Sequence, residues 1–158
     1  MVIAHLLGFV LIFIACTFDF MHLALMPEKI QYVLDIPSLI IIVLPTVYYS
    51  VSVHGWKSYG NSWKALLGSV KNIDKSQLEP TKLCLRDLGN LSLIWGILGT
   101  FVGAILTLRE MESILSQDSL FPAIAISLIT LFYGIILYML CLVSKSRIER
   151  RLVDIVSL

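Results

Sequence analysis

The chain has 158 residues, of which 58% are hydrophobic and only 15% are charged. Soluble domains are usually less apolar and more charged, and here the apolar residues are gathered into long runs, so the composition argues against a soluble domain and predicts a membrane protein. The net charge of +1 says little by itself, and no nucleic-acid partner is expected.

Four apolar segments are each about long enough to cross a bilayer core, which takes roughly 17 to 25 helical residues. The first lacks the charged start and the cleavage site of a signal peptide, so we interpret it as a retained helix. Asp35 and Pro37 mark the start of the second helix, and Pro45 is expected to kink it. The predicted fold is one all-α membrane domain over residues 1–158, with spans at about 2–18, 36–53, 91–108 and 120–143.

Basic residues set the orientation of these spans. The connection at residues 54–90 and the C-terminal tail hold ten of the twelve Lys and Arg residues. By the positive-inside rule, this connection and both termini are predicted to face the cytoplasm, in the inner membrane of a bacterial cell.

Two parts of the basic regions have helical patterns. Within the connection, SWKALLGSV is interpreted as a short amphipathic helix, and PTKLCLRDLGN as an inward extension of span three from Pro80. A common helical face in the tail predicts that span four also continues into the cytoplasm; its residues are Ile148, Leu152, Ile155 and Val156.

Small residues interrupt the third and fourth spans. In span three, Ser92, Gly96, Thr100 and Ala104 recur every four residues, beside a second row of Gly99, Gly103 and Thr107. Span four presents Ala123, Ser127, Thr130 and Gly134 largely on one side. Because lipid tails are as apolar as Leu, membrane helices associate through close contacts of small residues and through polar pairs. These rows predict close packing over a broad face.

Two threonines lie at similar predicted depths in these spans. Thr100 is roughly 14 Å from the inner end of span three and Thr130 roughly 14 Å from the outer end of span four, near the middle of a ~30 Å core. A threonine hydroxyl can also bond the carbonyl four residues before it, and this alternative stays open. Two threonines at matching depth favour a shared polar surface.

The second half of the chain, GILGTFVGAILTL followed by FPAIAISLITLFYG, resembles the MotA/TolQ/ExbB proton-channel family. That family pairs a G-x-x-G-T-x-x-G helix with a fourth-span A-x-x-L-x-T-x-x-G pattern. The first pattern is matched by Gly96, Gly99, Thr100 and Gly103, and the second more loosely around Thr130 and Gly134. The hairpin with LDIPSLIIIVLPT is similar to the first two spans of MotA-type flagellar motor proteins, and four spans favour that branch over TolQ- and ExbB-type chains.

The resemblance implies a component of an ion-driven motor or energy-transducing channel. In that family five copies surround two copies of a single-span partner, whose Asp carries a proton or Na⁺. Thr100 and Thr130 are then expected to line the ion path, with Ser127 and Thr107 as weaker candidates. The glycines that would give the partner room are Gly96, Gly99, Gly103 and Gly134.

This sequence departs from the family pattern in two places. The middle connection, residues 54–90, is much shorter than the cytoplasmic domain of motor stators, so contact with a flagellar rotor is not expected. The proline usual towards the inner end of span four is also missing from YGIILYMLCLVSK.

Three other classes of protein compete with the ion-driven complex. A small four-span transporter would need a membrane-embedded carboxylate, which spans three and four lack. A membrane enzyme is not expected because catalytic groupings are absent, and no cofactor, metal site or catalytic residue is predicted. Cys16, Cys84 and Cys141 lie far apart and are interpreted as free thiols. A purely structural component of a membrane complex stays open as an alternative.

Overall fold

The computed structural model of the chain describes residues 35–68, 70–110 and 117–157, together with two short strands nearer the N-terminus. Side chains are described for residues 35–68, 70–109 and 124–157. Strand β1 (Phe18–Asp19) pairs antiparallel with β2 (Ala24–Leu25) within a compact unit, Met1–Ile36. The first predicted span, residues 2–18, lies outside the described residues except for Phe18.

Three long helices make up the second compact unit, Pro37–Leu158. They are α1 (Ile36–Leu66), α2 (Lys75–Glu110) and α3 (Gln117–Val156). Each contains a stretch long and apolar enough to cross a membrane, with mean hydropathies of 1.9, 2.1 and 2.4 respectively. The helical membrane architecture is therefore confirmed for these three helices, which correspond to predicted spans two to four.

Helix α1 begins at Ile36, as Asp35 and Pro37 predict, and it continues well past the predicted end of span two at Val53. Pro45 lies inside it, but the non-helical backbone angles are at Gly55, with φ 75° and ψ 163°. Glycine adopts a positive φ at little cost because it has no Cβ. Helix α1 therefore consists of two helical segments that meet at Gly55.

The connection from α1 to α2 differs from its predicted structure. The sequence predicts a short amphipathic helix over SWKALLGSV; residues 62–66 are helical and end the second segment of α1, which follows the break at Gly55. A turn with Gly68 at φ 93° and a 3₁₀ helix at Val70–Asn72 follow. Arg151 of α3 donates a hydrogen bond to the Val70 carbonyl and so ties this connection to α3.

Helices α2 and α3 both extend beyond their predicted spans. Helix α2 starts at Lys75, slightly before the predicted start at Pro80, and α3 runs through the basic tail to Val156. In the tail, Ile148 is fully buried and Leu152 and Ile155 pack against the core, but Val156 is exposed. The helical continuation of span four is confirmed, and its buried face excludes Val156.

The burial of hydrophobic side chains differs between the two ends of the helices. We call residues 54–90 and 144–157 the basic end, and residues 36–53, 91–108 and 124–143 the apolar half. The hydrophobic core lies almost entirely in the basic end; its members are Ala65, Val70, Ile73, Leu78, Cys84, Leu85, Leu88, Cys141 and Ile148. In the apolar half large side chains such as Phe101 and Ile105 are exposed, and only 11% of the apolar stretch of α2 is buried. That surface suits lipid rather than water.

Candidate ion-path site

The backbones of α2 and α3 are in direct contact at two glycines. A Cβ added to Gly96 would lie 3.0 Å from the Cα of Gly134 and 3.2 Å from the carbonyl oxygen of Thr130. A Cβ on Gly134 would lie 2.7 Å from the carbonyl oxygen of Ser92. Real Cβ atoms essentially never make contacts as short as 2.7 Å and seldom make contacts of 3.0–3.2 Å, so glycine at both positions permits this approach.

Two further glycines of α2 receive hydroxyl-bearing side chains of α3. A Cβ on Gly99 would lie 2.6 Å from Cγ2 of Thr130, and one on Gly103 would lie 2.5 Å from Oγ of Ser127. The predicted packing glycines therefore lie at the contact between α2 and α3 of the same chain. Their packing around a partner helix stays a prediction.

The Thr100 hydroxyl lies between the two helices. Its Oγ1 is 2.9 Å from the carbonyl oxygen of Gly96 in its own helix and 2.9 Å from that of Ser127 in α3. The single hydroxyl hydrogen is thus shared between an intrahelical and an interhelical acceptor. The intrahelical bond considered for this threonine is present, and a surface shared with Thr130 stays a prediction.

Thr130 is buried and meets α1 rather than Thr100. Its Oγ1 lies 2.8 Å from Oγ of Ser38, near the start of α1, and its methyl group faces Gly99 of α2. Ser127 is buried one turn away on α3. Thr107 is half-buried and bonds the carbonyl of Gly103 in its own helix at 2.8 Å. Thr100, Ser127 and Thr130 therefore lie together at the junction of the helices, and Thr107 lies at its edge.

Sequence reasoning missed the polar face of α1. Ser38, Thr46 and Ser50 are all buried and stand four or eight residues apart. The four-residue spacing used for span three would have found this row in IPSLIIIVLPTVYYSVS. We call Thr100, Ser127, Thr130 and Ser38 the hydroxyl cluster. Ser38 adds a third helix, α1, to this cluster.

A hydrogen-bonded pair of side chains between α1 and α2 was also missed. Nε2 of His54 lies 2.9 Å from Oδ2 of Asp87, and both side chains are mostly buried. Nothing within either helix alone indicates this pair, because it depends on how α1 and α2 are aligned along their length.

The apolar half contains no Asp, Glu, His, Lys or Arg in residues 36–53, 91–108 and 124–143. Its polar groups are hydroxyls and backbone carbonyls, which do not titrate near neutral pH. Within the described residues there is also no group of three or more His, Cys, Asp or Glu that could hold a metal ion. The hydroxyl cluster can solvate a passing ion, but it has no carboxylate or imidazole of its own to take up a proton.

A family model of the MotA/TolQ/ExbB proton channel family matches residues 64–158, which include α2, α3 and the end of α1. The chain belongs to this family. No curated protein and no solved structure gave a match.

Membership identifies the chain as a membrane protein of a family of channels and energy transducers, which is not a family of enzymes. Members form oligomeric complexes with partner proteins through which protons flow. All eight predicted site residues lie within the matched region. The hydroxyl cluster therefore lies in the part of the chain that carries the family likeness.

Proposed function

We propose that the chain is the multi-span component of an ion-driven complex in a bacterial inner membrane. Five copies surround about two copies of a single-span partner, and the partner's Asp carries a proton or Na⁺ past Thr100 and Thr130. The chain belongs to the motor-like branch with a reduced cytoplasmic domain, and it does not contact a flagellar rotor through the short connection at residues 54–90.

The observation that carries this proposal is a hydroxyl cluster in an apolar half without Asp, Glu, His, Lys or Arg. Thr100 shares its hydrogen with a carbonyl of α3, and Thr130 pairs with Ser38. An acid brought into such surroundings without polar neighbours would have a raised pKa and would hold its proton. Hydroxyls and carbonyls beside the path lower that penalty, so the partner's acid can release the ion again.

The replacements Thr100→Val and Thr130→Val test the role of these hydroxyls, because Val keeps the shape of Thr and removes the hydroxyl. With the partner co-expressed, ion flux into liposomes should fall at least about tenfold in either variant, since a hydrogen bond to a charged group contributes ~1.5–3 kcal/mol. Assembly with the partner should survive.

A matched control is Thr81→Val in the basic end. Thr81 is fully buried and bonds the carbonyl of Gln77 in its own helix, so it resembles the site threonines but lies away from them. This variant should conduct normally. The mechanism is abandoned if Thr100→Val and Thr130→Val both conduct as the wild type does, or if the purified chain alone passes protons as fast as the complex.

Native mass spectrometry of the purified complex tests the assembly. We expect five copies of this chain with about two copies of a smaller single-span chain, because the exposed apolar side chains of α2 leave a large surface for other helices or lipid. A monomer that co-purifies with no second chain contradicts this part of the proposal.

A further inference from the structure

Helix α1 carries polar residues along the face that it buries. Ser38, Thr46 and Ser50 have exposed fractions of only 3%, 3% and 0%, and Ile42 fills the position between the first two. His54 is the next residue of this row, directly before the break at Gly55. The row lies outside the region matched by the family model, and it contains none of the ion-path residues proposed above.

The hydroxyl of Ser50 is the unusual member of this row. It is buried, and no described residue forms a hydrogen bond with it, whereas the Thr46 hydroxyl donates to the carbonyl of Ile42. Buried hydroxyls nearly always have a partner, and an ordered water is the common one where the protein supplies none. Thr46 and His54 lie one turn away on either side, roughly 6 Å along the helix. Ser50 is therefore suited to hold a water between two other polar groups.

His54 and Asp87 form a titratable pair at the end of the row. Their side chains are 13% and 22% exposed, so the pair is shielded but still reached by solvent, and Nε2 of His54 lies 2.9 Å from Oδ2 of Asp87. Histidine is the side chain whose charge ordinarily changes within the physiological pH range. An adjacent carboxylate stabilises the protonated ring, so this pair can hold a proton transiently.

The other ionisable groups near the pair come from α2 and α3. On α2, Nε of Arg86 lies 3.4 Å from Oδ1 of Asp87, and the buried thiol of Cys84 is close enough to feel the charge of Asp87. On α3, Tyr138 and Lys145 line a small cavity beside Arg86. Asp87 thus contacts Arg86 through one carboxylate oxygen and His54 through the other.

The position of the pair suits exchange with solvent. Ser38 contacts Thr130 in the hydroxyl cluster, and His54 lies about 24 Å farther along α1 at ~1.5 Å per residue. His54 directly follows the apolar residues 36–53 of α1, so it lies at the boundary of the apolar half with the basic end.

We propose that His54, Asp87 and Ser50 form a proton-exchange site at this boundary, which rests on the proposed function of the chain in a proton-conducting complex. Nε2–H of His54 stays hydrogen-bonded to Asp87 throughout, while Nδ1 takes up a proton from solvent and then passes a proton to the water held at Ser50. The carboxylate of Asp87 stabilises the doubly protonated ring between the two steps. One proton is moved, and the ring returns to its neutral form.

Proton flux of the assembled complex in liposomes tests this site between about pH 6 and about pH 8, the range in which His titrates. His54→Gln should lower the flux about a hundredfold, within the usual effect of a proton-transferring side chain, and should flatten its dependence on pH. Asp87→Asn and Ser50→Ala should each lower it about tenfold, by weakening one part of the same transfer. Imidazole added to the buffer should restore flux to His54→Ala, which a purely structural loss would not allow.

Matched controls come from the same helices. Ser52→Ala changes an exposed serine two residues from Ser50, and Glu79→Gln changes an exposed carboxylate of α2, so both should conduct normally. If Thr100→Val and Thr130→Val lower the flux while His54→Gln keeps the wild-type rate and pH profile, this site is refuted and the proposed function stands. If the assembled wild-type complex passes no ions, both are refuted.

Discussion

The glycines at the contact of α2 and α3 differ in what surrounds them. Gly99 and Gly103 face side-chain atoms of Thr130 and Ser127, which can make room by rotating. Gly96 and Gly134 face backbone atoms, which cannot move without displacing a whole helix. Because the apolar half gains little from hiding Leu from lipid, its stability depends on many small dispersion contacts of this kind. The contacts with backbone atoms, at Gly96 and Gly134, should therefore be the least tolerant of an added methyl group.

Gly134→Ala should reduce the free energy of unfolding by about 1–3 kcal/mol, the usual effect of overpacking a well-packed interior. Its Cβ would lie 2.7 Å from the carbonyl oxygen of Ser92. Gly60→Ala is the control, because a Cβ there has open space within 4 Å, and it should be neutral or slightly stabilising. Reversible unfolding in mixed micelles measures both variants. Equal stabilities would show that the backbones are not in contact.

At the scale of the helices, hydropathy located the apolar stretches but not the helix ends. It reports where a helix is apolar, so it could not show that α1 continues beyond Val53 through residues such as Ser58 and Ser62. The start of α1 at Ile36 was predictable because Asp35 and Pro37 are local signals. The short helix predicted over residues 62–70 is present in the second segment of α1, but it ends at Leu66 because the turn at Gly68 follows.

Part of the candidate site could be predicted from the spacing of residues within single helices. Small residues at four-residue intervals identified the face of α2 that carries Gly96 and Thr100, and that face does lie against α3. The pairs Ser38–Thr130 and His54–Asp87 were not accessible in this way, because each depends on the alignment of two helices distant in sequence.

The break in α1 at Gly55 allows the effect of backbone strain on stability to be measured separately from the effect of steric crowding. Gly55 and Gly60 both have open space around an added Cβ, but only Gly55 has a positive φ, 75° with ψ 163°. That combination is essentially restricted to glycine and costs another residue of order 1–3 kcal/mol. Gly55→Ala should therefore lower the free energy of unfolding by about that amount, while Gly60→Ala does not. If calorimetry finds the two variants equally stable, α1 passes residue 55 as a regular helix.

At the scale of the whole molecule, the basic end and the apolar half are packed differently, as suits water and lipid respectively. The basic end has a hydrophobic core and ion pairs such as Lys82–Glu79 and Lys145–Glu149, as a protein in water does. The apolar half has glycine contacts and shared hydroxyls inside and exposed apolar side chains outside. Because Ser38 contacts Thr130, the start of α1 lies beside a residue well inside α3. The hydroxyl cluster thus lies level with the first turn of α1, and the rest of α1 leads from there to the basic end.

The orientation of the chain follows from the distribution of its charges. Ten of the twelve basic residues lie in residues 54–90 and in the tail, so both regions should face the cytoplasm. Cysteines introduced at Gly60 and at Ser116, in a chain whose native cysteines are replaced, report the side of each position through a membrane-impermeant thiol reagent. Gly60 is suited to this because a side chain there has open space.

We expect the Ser116 variant to react in intact cells and the Gly60 variant to react only after the membrane is opened. The parent chain without cysteines is the control for background labelling. Labelling of Gly60→Cys from outside the cell would invert the orientation. Labelling of both positions from one side would mean that α2 does not cross the membrane as a single span, because these positions lie on either side of its apolar stretch. The second outcome would also remove the basis for the ion path, since Thr100 would no longer lie inside the bilayer.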